Sequence, residues 1–215
     1  MRLKDKVALV TGAGAGIGKA IAETFAKEGA KVVVNDLNSD TAQAVADGIN
    51  KGRGTAAFVQ ADVSKEADAV KIVKFTVDTY GSLDILVNNA GIELIKPTHE
   101  LTEQDWDAVM NVNLKGCFLV SKHGVIQMLA QGGGSIINMA SAAGIIGFPL
   151  LASYCATKGG VVQLTKSMAL AESVASGDLS HNVDINQTDE TGILAHSLNS
   201  MVEFSEWARI PVSSV

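Results

Sequence analysis

The sequence predicts an α/β protein with a doubly wound, mostly parallel sheet in a three-layer αβα arrangement. Three observations predict it. Short apolar, β-branched runs alternate with stretches of helical spacing along residues 7–171. The first runs are continuously apolar, as expected of strands covered on both faces. A glycine-rich segment lies where the first strand passes into the first helix.

The elements follow in order. Residues 7–10 form a short apolar strand, and residues 17–28 carry helical spacing through Ile17, Ile21 and Phe25 before stopping at Gly29. Residues 31–35 are a β-branched strand, followed by a helix over 39–50, a strand over 56–60, a helix over 65–80 and a strand over 85–87. Thr102 and Asp105 resemble a capping box that opens a helical stretch, with room for a break, reaching residue 129. The glycines at 132–134 turn the chain into a strand over 135–139, and residues 153–171 form a further helix. Strands alternating with helices call for a parallel sheet with helices on both faces. Right-handed crossovers then make a Rossmann-type sheet the economical answer.

Composition narrows the function. The chain has 215 residues, 47% of them hydrophobic and 19% charged, which suits one well-buried core. No stretch approaches the roughly 18 consecutive apolar residues of a membrane span. The opening segment breaks at Gly12 without a cleavage-like site, so it reads as a strand and not as a signal peptide. Two cysteines, Cys117 and Cys155, do not suggest a disulfide framework, and a reducing cytoplasm is the expected compartment. Residues 1–171 balance their charges, whereas residues 172–215 hold one base, Arg209, against seven acids and account for the whole net charge of −6. With no basic patch, neither nucleic acid nor an anionic membrane is an expected partner.

The segment Thr11-Gly12-Ala13-Gly14-Ala15-Gly16-Ile17-Gly18 has the chemistry of a pyrophosphate cradle. Glycines permit positive φ and remove the Cβ atoms that would block an anion. The amides that open the following helix point at that anion. Asp36 ends the second strand 18 residues beyond Gly18, close to the usual position of an acid on a ribose 2′-hydroxyl. A carboxylate there repels a 2′-phosphate, by roughly 4 kcal/mol at about 4 Å and an effective dielectric near 20, before solvent screening. Ala15 and Leu37 bring no compensating base, so NAD is favoured over NADP.

The T-G-x-x-x-G-x-G spacing resembles the short-chain dehydrogenase/reductase family, and further segments extend the resemblance over roughly residues 5–171. They are Asp62-Val63, Asn88-Asn89-Ala90-Gly91, Asn113 within N-V-N-L-K-G, Ser141, and the Y-x-x-x-K pair Tyr154 and Lys158. The resemblance implies cofactor contacts from Gly12, Gly14, Ala15, Gly16, Ile17, Gly18, Asp36, Leu37, Asp62, Val63, Asn89, Ala90, Gly91, Tyr154 and Lys158. It also implies the catalytic roles. Tyr154 acts as general acid or base toward a secondary alcohol or ketone, and Ser141 stabilises the substrate oxygen. Asn113 holds a proton-relay water, and Lys158 binds the nicotinamide ribose.

Elementary chemistry agrees. Tyr154 and Lys158 are i, i+4 neighbours on one helix face. A free phenol titrates near pH 10, and an adjacent ammonium lowers that value. A positioned acid–base group is worth about 10²–10⁴-fold in rate. Ile145, Ile146, Phe148, Leu150 and Leu151, between Ser141 and Tyr154, either line an apolar substrate pocket or simply pack. The substrate expected is therefore a mainly apolar secondary alcohol or ketone.

No metal is expected, because His99, His123, His181 and His196 lack ligand spacing. Cys155 and Cys117 read as packing residues, and Glu93, which follows the N-N-A-G segment and could face the substrate, reads first as a loop acid. Family members continue into a strand ending in Pro-Gly, yet this chain has prolines only at 97, 149 and 211. Residues 1–171 are thus read as a dinucleotide-binding and catalytic domain, and residues 172–215 as an atypical segment of it or an irregular tail. Within that segment, 182–186 could make a substitute strand and 192–207 a weak helix. The resemblance implies a homo-oligomer, dimer or tetramer, associating through the 153–171 helix. An NAD-dependent alcohol dehydrogenase or ketone reductase leads. A catalytically impaired NAD-binding module and an interaction protein without cofactor are the alternatives.

Overall fold

Five consecutive buried residues, Val7–Thr11, form β1 at the centre of a parallel sheet. The computed structural model describes residues 1–175, so the strand and helix expected at 182–186 and 192–207 lie outside the described residues. The chain divides into two compact units, Met1–Thr165 and Lys166–Val215. The first carries the sheet. Of the second, the described part is the end of the last helix.

The elements after β1 are α1 (Gly16–Lys27), β2 (Lys31–Asp36), α2 (Ser39–Lys51), β3 (Thr55–Gln60), α3 (Glu66–Tyr80) and β4 (Ile85–Asn88). Then come α4 (Glu103–Met110), a π-helical turn (Asn111–Gly116), α5 (Cys117–Gln131), β5 (Ser135–Asn138) and α6 (Ala152–Ala175). Each element expected within residues 1–171 is present to within a few residues at its ends. Thr102 does accept from the Asp105 amide while the Asp105 carboxylate accepts from the Thr102 amide, closing the capping box. The break in the 102–129 stretch proves to be the π turn, entered and left with right-handed helical backbone.

Strand order is β3-β2-β1-β4-β5, all parallel, with Val10 facing Val34 on one side and Val87 on the other. Alternation along the strands splits the core in two. Ala8, Val10, Val32 and Val34 pack with Ala22, Ala26, Val45 and Ile49 of α1 and α2. Leu9, Val33 and Leu86 pack with Ile72, Val73, Leu119 and Met128 of α3 and α5. This is the Rossmann-type, doubly wound sheet. The chain reverses direction through it between β2 and β4, which flank β1, and ligands of such sheets bind in the crevice at the carboxyl ends of those strands. Among the described residues, no helix is long and apolar enough to cross a membrane.

Candidate active site

The crevice is built first by the loop after β1. Gly12 has φ +60°, and a Cβ there would lie 2.7 Å from the Ala90 Cα. A Cβ on Gly18 would meet the Gly12 carbonyl oxygen, and one on Gly14 would meet Thr41 Oγ1 and, at 2.9 Å, Asp36 Oδ2. These glycines are required by close approach of the protein to itself. Gly16 differs: φ is +54°, and nothing lies within 4 Å of an added Cβ. Helix α1 starts at Gly16 after Ala15, with no side-chain cap and no acid in its first turn. The opening amides, at Gly16, Ile17 and Gly18, are thus free of a side-chain competitor, and Ile17 is exposed.

The N-N-A-G segment clamps this loop. Asn89 Nδ2 donates to the carbonyls of Thr11 and Gly12, each at 3.0 Å, and the amides of Asn89 and Ala90 both donate to Thr11 Oγ1 at 3.1 Å. Asn88 points the other way. Its Nδ2 donates to Ser121 Oγ and Asn138 Oδ1, both at 2.8 Å, binding β4 to α5 and β5. Gly91 is exposed beside Asn113, whose Oδ1 would lie 3.4 Å from a Cβ there.

Asp36 stands at the end of β2, half-buried. Its Oδ2 accepts from the Gly14 amide at 2.9 Å and its Oδ1 from the Asn38 amide at 3.0 Å. Each oxygen keeps a lone pair for a further donor. An open cleft beside it is lined by Leu37, Asn38, Ser39, Asp40 and Gln60, with no base among them. Asp62 accepts from the amide and hydroxyl of Ser64 at 2.9 and 2.7 Å, while Val63 is buried against the Gly116 position.

The remaining side chains come from the π turn, the segment after β5, and α6. Lys158, one turn after Tyr154, is buried; its Nζ donates to the Met139 carbonyl at 2.6 Å and lies 5.5 Å from the centroid of the Tyr154 ring. Burial pushes the Lys158 ammonium below the usual lysine range, and a weaker contribution from Cys117 opposes this. Cys117 donates to Asn138 Oδ1 at 3.3 Å, and burial pushes its thiol up to about 11. Ser141 Oγ accepts from the Ala143 amide at 3.2 Å, which leaves the hydroxyl proton to donate elsewhere.

Asn113 is spent in a way that its residue type alone did not announce. Its Oδ1 accepts from the Ile92 amide at 2.8 Å, and its Nδ2 donates to the Ile92 carbonyl at 2.9 Å and to Thr157 Oγ1 at 3.2 Å. Met139 and Thr157 are participants that no motif in the sequence named, and Thr11 was visible as the first residue of the glycine-rich motif but without its role as acceptor for Asn89 and Ala90. Thr157 carried a weaker signal, standing one residue before Lys158.

The apolar residues between Ser141 and Tyr154 stand open. Ile145 is 83% exposed, Ile146 57%, Phe148 42% and Leu150 47%, while Leu151 is half-buried. Leu150 holds φ at +64°, and its carbonyl accepts from the Lys96 amide at 2.9 Å, tying this loop to the one after β4. That second loop adds exposed Ile92 and Ile95. Glu93 is exposed beside them. Among the described residues, no group of three or more His, Cys, Asp or Glu is placed to hold a metal ion.

Comparison with known proteins agrees with this geometry. A family model described as short chain dehydrogenase matches residues 6–188. An uncharacterized oxidoreductase of Thermotoga maritima is 48% identical over 170 residues, covering 79% of this chain and 67% of that protein. An NAD-dependent glycerol dehydrogenase of Listeria innocua is 39% identical over 192 residues, covering 89% of this chain and 72% of its own length. The crystal structure of a short chain dehydrogenase from Mycobacterium avium superposes with a TM-score of 0.74 at 38% identity, covering 77% of this chain and 62% of that one. The chain thus spans about two thirds of the length of the proteins it matches.

Proposed function

The chain belongs to the short-chain dehydrogenase family, and from that premise we propose that it moves a hydride between NAD(H) and a secondary alcohol or ketone. The observation that carries this reading is the buried Lys158 ammonium one turn from Tyr154 and 5.5 Å from its ring.

The residues present fit the cofactor. Gly12, Gly14 and Gly18 let the loop close on itself, Gly16 leaves space in front of it, and α1 opens without a side-chain cap. Gly12 to Gly18, with Ala15 and Ile17, would receive the pyrophosphate. Asp36 and Leu37 would receive the adenosine ribose, Asp62 and Val63 the adenine, and Asn89, Ala90 and Gly91 the nicotinamide half. Asp36 and the neighbouring Asp40 favour NAD over NADP, and the Listeria relative is named as NAD-dependent. When bound, the cofactor supplies the hydride acceptor or donor.

The protein's own groups handle the proton. Tyr154 takes the alcohol proton, or gives one to the ketone oxygen, as hydride moves. Lys158 steadies the negative charge the phenol then carries, and two of its three protons remain for the ribose after the bond to Met139. Ser141 donates to the substrate oxygen as charge builds on it. Asn113 serves the proton-relay water. Its two Nδ2 protons are taken by Ile92 and Thr157, so the water would be held through the second lone pair of Oδ1 or through the main chain of the π turn.

Exposed Ile92, Ile95, Ile145, Ile146, Phe148 and Leu150 support an apolar substituent on the substrate in preference to a polyol. The test is an NADH fluorescence titration followed by oxidation of a panel running from glycerol to 1-phenylethanol. Tyr154→Phe is expected to cut turnover at least about 10²-fold and to spare NADH binding. Turnover unchanged in that variant would remove the mechanism. NADH binding without turnover of any alcohol would favour an impaired binding module.

A further inference from the structure

Thr157 is wholly buried on α6, between Tyr154 and Lys158 in the chain. Helical threonines commonly turn their hydroxyls back on the preceding turn, and here Thr24, Thr76 and Thr79 each donate to the carbonyl four residues earlier. Those bonds are local to one helix. Thr157 does more. It donates at 2.8 Å to the carbonyl three residues earlier, that of Tyr154, and accepts at 3.2 Å from Asn113 Nδ2. Asn113 in turn grips both backbone groups of Ile92.

One hydroxyl therefore closes a chain that runs from the loop after β4, through the π turn, to the main chain of Tyr154. A similar link recurs two turns further along α6, where Asn138 Nδ2 donates to Thr165 Oγ1 at 2.9 Å and Thr165 donates to the Val161 carbonyl at 2.7 Å. Two asparagines from different elements thus grip α6 through threonine hydroxyls. The first of the two holds the turn that carries the phenol.

We propose that Thr157 is a positioning residue, whose buried hydroxyl keeps the Tyr154 turn in register with Asn113 and the loop after β4. The proposal rests on the reading of Tyr154 as the acid–base group. Valine in place of Thr157 matches its shape and removes both bonds, leaving an Asn113 N–H without its acceptor. Serine keeps the hydroxyl and removes only the methyl group.

The experiment uses the full chain with NAD and 1-phenylethanol, and compares Thr157→Val, Thr157→Ser and Tyr154→Phe. Displacements near 1 Å at a reacting group cost up to about 10²-fold, so Thr157→Val is expected to lower kcat by roughly ten- to a hundredfold. The KM for NAD should stay within about twofold, and Thr157→Ser should keep kcat near wild type. A second readout needs neither cofactor nor turnover. The chain has two tyrosines, Tyr80 and Tyr154, so ring-labelled tyrosine NMR gives two signals, with Tyr154 assigned by its loss in Tyr154→Phe. Thr157→Val should move the Tyr154 signal and leave that of Tyr80, and Thr157→Ser should move neither. An unmoved Tyr154 signal in Thr157→Val would overturn the proposal. So would a Thr157→Ser protein as damaged as Thr157→Val, since a methyl group and not the hydroxyl would then be at work. Full turnover in Tyr154→Phe would instead overturn the acid–base reading, while the NMR comparison still reports on Thr157.

Discussion

Asp36 accepts a hydrogen bond from the Gly14 amide at 2.9 Å, so the acid that ends β2 also braces the loop after β1. Charge and bracing can be separated by substitution. Asp36→Asn keeps an acceptor oxygen for Gly14 and loses the charge, whereas Asp36→Ala loses both. Asp36→Asn is expected to narrow the preference for NADH over NADPH by about tenfold, as a screened charge of this kind allows. Asp36→Ala should weaken both cofactors. Fluorescence titration of the two dinucleotides checks this, and an unchanged preference in Asp36→Asn would refute it.

Gly16 and Gly18 sit two residues apart and should fail differently. A methyl group on Gly18 runs into the Gly12 carbonyl and Asn89 Nδ2, so Gly18→Ala should destabilise the fold by about 1–3 kcal/mol. Gly16 has open space around it, and Gly16→Ala should cost only about 1 kcal/mol, for its left-handed backbone. Its methyl group would stand where a pyrophosphate approaches, so NADH affinity should fall out of proportion to stability. Urea denaturation beside NADH titration separates the two losses.

Lys158 gives a pH dependence of definite sign. Burial lowers its folded-state proton affinity, whereas the unfolded lysine keeps its proton to about pH 10.4. Between the lowered value and the ordinary one the unfolded chain binds more protons, so stability from this group rises with pH; below the lowered value the group contributes no slope. Wild type should therefore gain stability relative to Lys158→Met as pH is raised toward about 10. Urea midpoints across that range test the point, and parallel curves for the two proteins would contradict it.

Phe148 and Ile145 offer a test of substrate class. Phe148→Ser combined with Ile145→Ser removes apolar surface without touching Tyr154 or Lys158. KM for 1-phenylethanol should rise at least about thirtyfold, since each of the two lost apolar contacts is worth about 1 kcal/mol or more. KM for glycerol should hold. Equal effects on both alcohols would show that these side chains do not meet the substrate.

The parts of this molecule legible in the sequence are those set by local rules. Residues 7–10 read as a strand from a continuously apolar run, the helix after Gly16 from its spacing, and the Thr102–Asp105 box from two residue types three apart. Rules of that kind do not reach the π turn, because Asn111–Gly116 holds no proline and keeps an ordinary helical pattern. The positive φ of Leu150 is likewise silent in sequence, since nothing about leucine asks for it. Asn113 and Thr157 were visible as residue types, but their bond joins positions 44 apart in the chain. Exposure of Ile145 and Phe148 could not be read either, as apolar character alone suits a lining and a surface equally.

Thr11 and Asn89 are 78 positions apart, and the loop between β1 and α1 is held by bonds between them. A growing chain on the ribosome that has released only its first three strands therefore owns every glycine of the loop and none of its clamp. Affinity for a dinucleotide should switch on abruptly once β4 threads in beside β1, rather than build with length.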